Sequence, residues 1–346
     1  MASQIPIRNI YYLLCYAWNR LSEGELVDVS GVDSMELANL FATVLVSGTN
    51  HLLRRGLDQG YLAHEEELSA IRGRIDITTT AQRMLVQQGK AYCAYDEVSP
   101  NTLPNQIIKS TLKSLLGITT LDATLRARVA RLYRDLGHID SIPLNKFLFR
   151  KVQLHSNNRF YRFLLNICEM IQSAYLVDET NGQYRFRDFI RDDKAMARLF
   201  ESFIFNFYKM HFPNLSVNKE RLYWTASSET DPTLSLLPTM ETDISIRSPE
   251  RTLIIDAKYY SRTFQSYYDS ESIHSANLYQ IMAYLRTLEN RGGLDAMGEG
   301  MLLYPVVDRV IREAYMIEGH QVKICTLDLN RDWKEIHKEL LELVEF

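Results

Sequence analysis

Two acids and a lysine stand at the ends of two short predicted strands in the stretch Thr239–Tyr260, TMETDISIRSPERTLIIDAKYY. Asp243 opens an alternating strand, and Asp256 and Lys258 end an apolar, β-branched one. Because strand side chains alternate, Asp256 and Lys258 share a face, and a hairpin turn at Pro249 brings Asp243 beside them. Two carboxylates suit Mg²⁺, and a lysine beside them can orient or deprotonate a water. The stretch therefore predicts metal-dependent phosphodiester cleavage.

Taken alone, acid-x-lysine is a weak pattern that also describes a salt-bridged pair at a strand exit. The neighbouring helices add context, because Gln280 and Tyr284 lie four residues apart on the following helix and Glu201 lies on the preceding one. Together these residues resemble the PD-(D/E)xK nuclease core, in its form with a Q-x-x-x-Y helix, although Thr242 replaces the family's proline. An edge glutamate is ordinarily solvated, whereas the resemblance implies that Glu201 is an additional metal ligand.

Bulk properties limit the classes of protein. The 346 residues carry a formal net charge of −4, so no global basic field indicates a free-standing DNA binder, and any DNA grip is expected to be shared with a partner. The four cysteines are scattered without a C-x-x-C, which is typical of reduced core residues. His64, followed by three glutamates, suggests a solvated helix face. With no export signal or membrane-spanning run, we expect a soluble cytoplasmic protein.

Periodicity divides the chain into two predicted domains. Residues 1–159 read as a mixed α/β domain and residues 160–346 as an α/β domain with helices on both faces of a sheet, an α/β (α+β overall) fold. The predicted helices include Arg8–Leu21, Ser34–Arg55, Asp122–Leu136, Phe160–Leu176, Lys194–Met210, Ala276–Asn290 and Trp333–Leu343. Between helices of the first domain, Arg72 and Arg74 flank a glycine. They are either turn residues of a hairpin or contacts to a phosphate or a partner acid.

Across nearly its whole length the chain resembles the McrC family, the cleavage subunits of modified-cytosine-specific restriction systems. The stretches that carry the resemblance are IPIRNIYYLLCYAW, IRGRID, NQIIKSTL, YRFRDF, LLPTMETDISIR, LIIDAKYY and NLYQIMAYL. The resemblance implies that residues 1–159 dock on and stimulate a hexameric AAA+ GTPase. That partner would recognise double-stranded DNA carrying modified cytosine and would itself bind GTP. This chain indeed has no G-x-x-x-x-G-K-[ST] loop of its own.

By the same resemblance, the C-terminal domain cuts DNA with Mg²⁺. Asp243 and Asp256 would hold the metal with help from the main-chain carbonyl of Ala257, and Lys258 would position the attacking water. Two other readings stay open at this stage. One is a silent activator that docks on the GTPase without cutting, and the other is a repair nuclease that acts with a helicase. The presence of all three core residues opposes the first, and the N-terminal match with no iron–sulfur cysteines opposes the second.

Overall fold

A computed structural model describes residues 5–27, 29, 37–154, 158–177, 184–186, 192–260, 264–267, 270–307 and 309–345. The helices of this part of the chain are α1 Ile7–Ala17, α2 Leu21–Gly24, α3 Leu37–Arg55, α4 Ile77–Gln82, α5 Leu103–Leu116, α6 Ala123–Asp135, α7 Lys146–Lys151, α8 Arg159–Ala174, α9 Asp193–His211, α10 Ser275–Glu289 and α11 Trp333–Leu343. None of the helices in these residues is long and apolar enough to cross a membrane. Most helix predictions fall within a few residues of these bounds.

The strands of the described residues form one large sheet and several small ones. They are β1 Gly60–Leu68, β2 Arg74–Ile75, β3 Ala91–Ser99, β4 Tyr175–Val177, β5 Tyr184–Phe186, β6 Ser216–Asn218, β7 Arg221–Leu222, β8 Met240–Glu241, β9 Ile244–Arg247, β10 Thr252–Ala257, β11 Phe264–Tyr267, β12 Ser270–Ile273, β13 Glu299–Pro305, β14 Arg312–Ile317 and β15 His320–Leu327. The α/β class expected from the sequence is confirmed.

The chain forms two compact units, residues 1–25, 32–35 and 188–346 on the one hand and residues 26–31 and 36–187 on the other. This division differs from the boundary predicted at residue 159 at both ends. Helix α1 belongs to the unit of residues 188–346, where Tyr16 packs against Phe203 and Phe207 with ring centroids 5.7 and 5.4 Å apart. Helix α8 belongs to the other unit, because its apolar face packs on α3 and α5.

The unit that contains residues 188–346, called here the sheet unit, is built on a six-stranded mixed sheet in the order β14-β15-β13-β10-β9-β6. Strands β10, β13 and β15 run parallel, and β9 returns antiparallel to β10, as the predicted hairpin requires. Strand β10 is buried throughout, which fits its run of β-branched and apolar residues. The edge strand β14 was not predicted, because its side chains are mostly exposed and include only scattered apolar residues.

Helices cover both faces of the central strand. Ile254 belongs to a buried cluster with Ile281 and Leu285 of α10. On the opposite face, Tyr259 just after β10 approaches Phe200 of α9, with 6.2 Å between ring centroids. Gly300 on β13 permits close packing, since a Cβ there would lie 2.8 Å from the Ile281 side chain. Because side chains alternate, the residues in register with Ile254 point toward α10.

The second unit, residues 26–31 and 36–187, packs helices α3, α5, α6 and α8 together and carries a three-stranded sheet in the order β1-β3-β2. Buried polar side chains connect helices α8 and α5 to the loop between α3 and β1. The Tyr161 hydroxyl donates to Asn105 at 2.8 Å, and the Asn105 amide donates to the Asp58 carbonyl at 2.9 Å. His64 and its glutamates lie on strand β1 and not on the predicted helix, since they pair with β3 over nine residues.

Candidate active site

The antiparallel pairing of β9 and β10 determines where the two acids meet. Ile244 pairs with Ile255 as the last matched residues of the hairpin. One step further along the same register, Asp243 lies opposite Asp256, at a spacing that brings cross-strand side chains within contact distance. Asp256 is in register with Ile254, so both acids face α10. The hairpin predicted from the sequence therefore brings the expected carboxylates together.

Lys258 closes the cluster from the same face of the strand. Its Nζ donates to Asp256 Oδ1 at 2.9 Å and lies 3.8 Å from Asp243 Oδ2. The main-chain N–H of Ala257 donates to Asp243 Oδ2 at 3.0 Å. An ammonium and a backbone amide thus hold the two carboxylates at the end of β10. The interaction resembles the salt bridge of the alternative reading, but with a second carboxylate converging on it.

Burial gives the carboxylates unusual electrostatics. The Asp256 side chain is fully buried and that of Asp243 is 17% exposed. Burial, followed by the Asp256 charge, raises the pKa of Asp243 to about 7. Burial also raises the pKa of Asp256, against the pull of Lys258. Burial lowers the pKa of Lys258 but the two carboxylates outweigh it, so the net shift is upward. Lys258 therefore stays an ammonium and serves as a donor, which disfavours its predicted role as a base.

One oxygen of the cluster is left without a partner. Asp256 Oδ2 is buried and accepts no hydrogen bond from the described residues. Such a group costs about 1–3 kcal/mol unless something else satisfies it. A strand residue directs its N–H and C=O to the same side. The Ala257 carbonyl therefore points, like its N–H, toward Asp243. Oxygens of Asp243, Asp256 and the Ala257 carbonyl are hard ligands that fit a divalent cation, with water and phosphate completing its coordination shell.

A metal held here would not be enclosed by protein carboxylates. In the part of the chain that the structure describes, no group of three or more His, Cys, Asp or Glu side chains is arranged to hold a metal ion. Glu201, on α9, adds to the electrostatic repulsion that raises the pKa of both Asp243 and Asp256. Its carboxylate, however, is salt-bridged to Lys219. Glu201 thus lies near the site but is turned to another partner, and its role as a ligand stays a prediction.

The Q-x-x-x-Y pair of α10 faces the cluster. Gln280 Nε2 donates to the Tyr284 hydroxyl at 2.6 Å, and that hydroxyl donates to the Glu241 carbonyl at 2.8 Å. Burial raises the pKa of Tyr284, and the charges of Asp256 and Asp243 add to the shift. Glu241 lies two residues before Asp243. Tyr284 therefore anchors the chain segment that delivers one of the two carboxylates.

Thr242 has a structural use that a proline could not serve. Its N–H donates to the Glu220 carbonyl at 2.9 Å, a bond that proline lacks the hydrogen to make. Its hydroxyl also accepts from the Glu220 N–H at 2.9 Å and bonds to the Ser245 hydroxyl at 2.8 Å. The departure from the PD-(D/E)xK motif thus replaces a rigid residue with three hydrogen bonds that hold the start of β9.

A network of hydrogen bonds behind Lys258 was not predicted from the sequence. The Tyr260 hydroxyl donates to Asn277 Oδ1 at 3.1 Å, and Asn277 Nδ2 donates to the Tyr304 hydroxyl at 3.1 Å. Burial raises the pKa of Tyr304 to about 12, with a smaller contribution from Asp256. These hydrogen bonds connect the end of β10 to α10 and β13. Asn277 precedes Gln280 by one helical turn, so a search for polar residues along that face could have found it.

The sheet and the converging acids and lysine have the form of a PD-(D/E)xK nuclease-like α/β core, and comparisons with known proteins identify the family of the chain. Residues 8–305 match the family of the McrBC 5-methylcytosine restriction system component. The chain is 38% identical over 341 residues to the Escherichia coli (strain K12) "Type IV methyl-directed restriction enzyme EcoKMcrBC", covering 99% of this chain and 97% of that one. The chain therefore belongs to the McrBC restriction system component family.

A solved structure agrees at the level of the fold. The chain resembles a chain of the half-complex from the tetradecameric assembly of Thermococcus gammatolerans McrB AAA+ hexamers with bound McrC. That match has a TM-score of 0.63 and 15% identity, and it covers 98% of this chain and 76% of that chain. A structure of the Thermococcus gammatolerans McrBC complex matches with a TM-score of 0.44 over 58% of this chain. The resemblance to McrC, the nuclease subunit of such systems, is confirmed.

Proposed function

We propose that this chain cuts DNA phosphodiester bonds with Mg²⁺ while bound to a hexameric AAA+ GTPase that recognises modified cytosine. The convergence of Asp243, Asp256 and Lys258 at the end of β10 carries the proposal. Two carboxylates whose pKa values are raised by burial are costly in a metal-free site. That cost, and the unpartnered Asp256 oxygen, are offset when a divalent cation binds.

Asp243, Asp256 and the Ala257 carbonyl would hold the metal. A bound Mg²⁺ would supply Lewis-acid stabilisation of the scissile phosphate. Lys258, kept protonated by its neighbours, would orient the attacking water and donate to the charge that develops on the phosphate, and the proton lost by the water would pass to solvent. Tyr284 would position the Asp243 segment through its bond to Glu241. Glu201 would contribute a further ligand only after exchanging Lys219 for the metal.

The second unit would bind the motor and stimulate its GTP hydrolysis. This assigns docking to the part of the predicted N-terminal domain that lies outside the sheet unit. Its small sheet and the adjoining α4 segment expose large apolar side chains of the kind that mark interaction surfaces. The most exposed are Tyr61, Ile71, Ile77, Met84 and Val86. Thermococcus gammatolerans McrC is bound to McrB AAA+ hexamers, which supports the same arrangement for this chain.

A cleavage assay on methylated plasmid tests the proposal. The reaction would contain Mg²⁺, GTP and the AAA+ GTPase partner. Wild type would be compared with Asp256→Ala. We expect cutting that needs every component and is lost in the variant, because Asp256 supplies the fully buried ligand oxygens. An absence of cutting by wild type that still stimulates the partner's GTPase would establish the silent activator instead. An absence of both activities would refute the docking assignment as well.

A further inference from the structure

A long acid-free segment runs through the second unit. Residues 141–168 contain no Asp or Glu, although Lys146, Arg150, Lys151, Arg159 and Arg162 lie within them. Over the whole chain, by contrast, acids outnumber Lys and Arg, and the excess lies in the sheet unit. A stretch of this length with one sign of charge therefore departs from the composition around it. It is a local basic field of the kind that the net charge of −4 conceals.

These cations lie on two helices, α7 and α8. Asn145 caps α7 by accepting from the N–H groups of Phe147 and Leu148 at 3.0 and 3.2 Å, which holds the short helix in place. Helix α7 packs on α8, and Phe149 approaches Leu165 across a small cavity. Leu148 and Phe149 are thus half-buried on the side of α7 that packs on α8. The five cations stay exposed around them. We call Lys146, Arg150, Lys151, Arg159 and Arg162 the basic helix surface.

The described part of the chain provides no acidic partner for these five cations. Among the residues that the structure describes, none of the five forms a salt bridge. Some other exposed arginines do have an acidic partner, such as Arg83 with Glu67 at 3.0 Å. The surface also presents one large apolar side chain, since Phe147 is 71% exposed. A protein interface normally has an apolar centre and few lysines, so a single ring among five cations fits a polyanion better.

We propose that the basic helix surface binds the phosphate backbone of double-stranded DNA. The inference rests on the proposed function, because it supplies a DNA contact that the nuclease site itself lacks. That site contains two carboxylates within a unit rich in acids, so it repels DNA until a metal is bound. Affinity must come from elsewhere on the chain or from the partner. Five unpaired cations contact successive phosphates and release counterions without reading sequence.

The test measures duplex binding by the full chain without divalent metal. A fluorescein-labelled duplex of unmodified sequence is titrated at several salt concentrations with wild type and with Lys146→Gln/Arg150→Gln/Lys151→Gln. If each cation contacts one phosphate, the variant should bind roughly 10-fold or more weaker near 0.1 M salt, and its slope of log affinity against log salt should be shallower by about 2.7. Phe147→Ala should weaken binding with an unchanged slope, since it removes no charge.

A matched variant separates a local contact from net charge. Arg128→Gln/Arg131→Gln/Arg134→Gln removes the same charge from exposed positions of α6 in the same unit. It should keep the wild-type affinity and slope, and equal losses in both variants would reduce the inference to a general charge effect. The thermal melting of each variant should match wild type, because the substituted side chains are exposed.

The remaining outcomes distinguish this inference from the proposed function. If the α7 variant binds duplex like wild type, the inference is wrong, while plasmid cutting by wild type with its partner would leave the proposed function standing. If the variant keeps DNA affinity but no longer stimulates the GTPase, the surface docks a protein instead. If wild type has no duplex affinity but still cuts with its partner, the partner alone holds the DNA and the inference is again overturned.

Discussion

The end of β10 and the sheet β1-β3-β2 both place acids beside cations, but their surroundings differ. In the small sheet, Glu66 accepts from the Tyr95 hydroxyl at 2.5 Å and Glu67 from Arg83 at 3.0 Å, and all four groups are in contact with solvent. At the end of β10, Asp256 is fully buried and one of its oxygens has no hydrogen-bond partner among the described residues. The same residue types therefore form a solvated ion pair in one region and an unsatisfied cluster in the other.

The buried carboxylates at the end of β10 lower the stability of the fold, so a contribution to stability does not explain their presence. An exposed pair contributes little, typically 0–1 kcal/mol, and can change without consequence. Two carboxylates in a buried site oppose each other's ionisation, as the raised pKa of Asp243 indicates. Groups of this kind with perturbed pKa values in a converging cluster are typical of functional sites. Substitutions at the end of β10 should therefore change the activity, whereas a substitution of the exposed pair should not.

The largest effect should come from Lys258→Ala, compared with Arg83→Ala, whose partner Glu67 lies in the small sheet. Loss of the ammonium removes the donor to the developing phosphate charge, and a single such donor is worth about 100- to 1,000-fold in rate. Plasmid cutting should fall by that factor while GTPase stimulation persists. Arg83→Ala should change neither activity. If Lys258→Ala lowered both activities together with the melting temperature, the lysine would be structural.

A smaller effect is expected from Tyr284→Phe. The substitution removes the hydroxyl that donates to the Glu241 carbonyl and accepts from Gln280, while the ring keeps its place in the core. Loss of one buried hydrogen bond costs about 1 kcal/mol, so we expect roughly 5-fold slower cutting from a misplaced Asp243. Tyr315→Phe, on the exposed strand β14, is the matched control. Normal rates in Tyr284→Phe at every Mg²⁺ concentration would show that the hydroxyl does not position the site.

A third effect concerns the metal-free protein. The folded-state pKa of Asp243 is about 7, above its ordinary value, so the folded state loses stability as pH rises from about 4 toward 7. With EDTA present, Asp243→Asn should remove that loss and raise the melting temperature at pH 8 by about 2–4 °C, as expected for ~1 kcal/mol. Mg²⁺ should then stabilise wild type but not the variant.

Asp231→Asn supplies the opposite case. Main-chain hydrogen bonds from Leu236 and Ser235 lower the pKa of Asp231, so its ionised form contributes to stability above its ordinary pKa. Its substitution should lower the melting temperature at pH 8, and Mg²⁺ should not alter the difference. A destabilised Asp243→Asn protein in EDTA would contradict the view that the carboxylate cluster is strained without metal.

The hairpin, its acids and the flanking helices were predictable, because alternation and helical spacing are local properties of the sequence. Strand β14 was not, since the exposed side chains of an edge strand leave a weak pattern. The pairing of Glu201 with Lys219 joins residues 18 apart along the chain and depends on where α9 meets β6. Such tertiary contacts cannot be inferred from spacing.

The compact units differ from the boundary predicted at residue 159 for the same physical reason. Helix α1 is amphipathic wherever it packs, and nothing local indicates that its apolar face covers α9. The Asn206 amide donates to the Ala17 carbonyl at 3.0 Å, and Asn9 donates to the Leu329 carbonyl at 2.7 Å. Removal of residues 1–159 would therefore expose the core of the sheet unit. Substitutions on the surface of the second unit test docking more cleanly.

The smallest effect should come from Arg72→Ala. The Arg72 guanidinium lies 4.6 Å from the centre of the Tyr95 ring, an exposed contact worth about 0.5–1 kcal/mol. Arg72 lies in the turn between β1 and β2, which pair with opposite edges of β3, so it is a turn residue but not the hairpin residue that the sequence suggested. At the neighbouring Gly73, φ is +67° and a Cβ would lie 2.5 Å from the Ala94 carbonyl, so Gly73→Ala should be the more destabilising change. Wild-type cutting and GTPase stimulation in Arg72→Ala would confine its role to the turn. A loss of stimulation at unchanged melting temperature would instead make the small sheet, like the end of β10, a place where a charged side chain is kept for function.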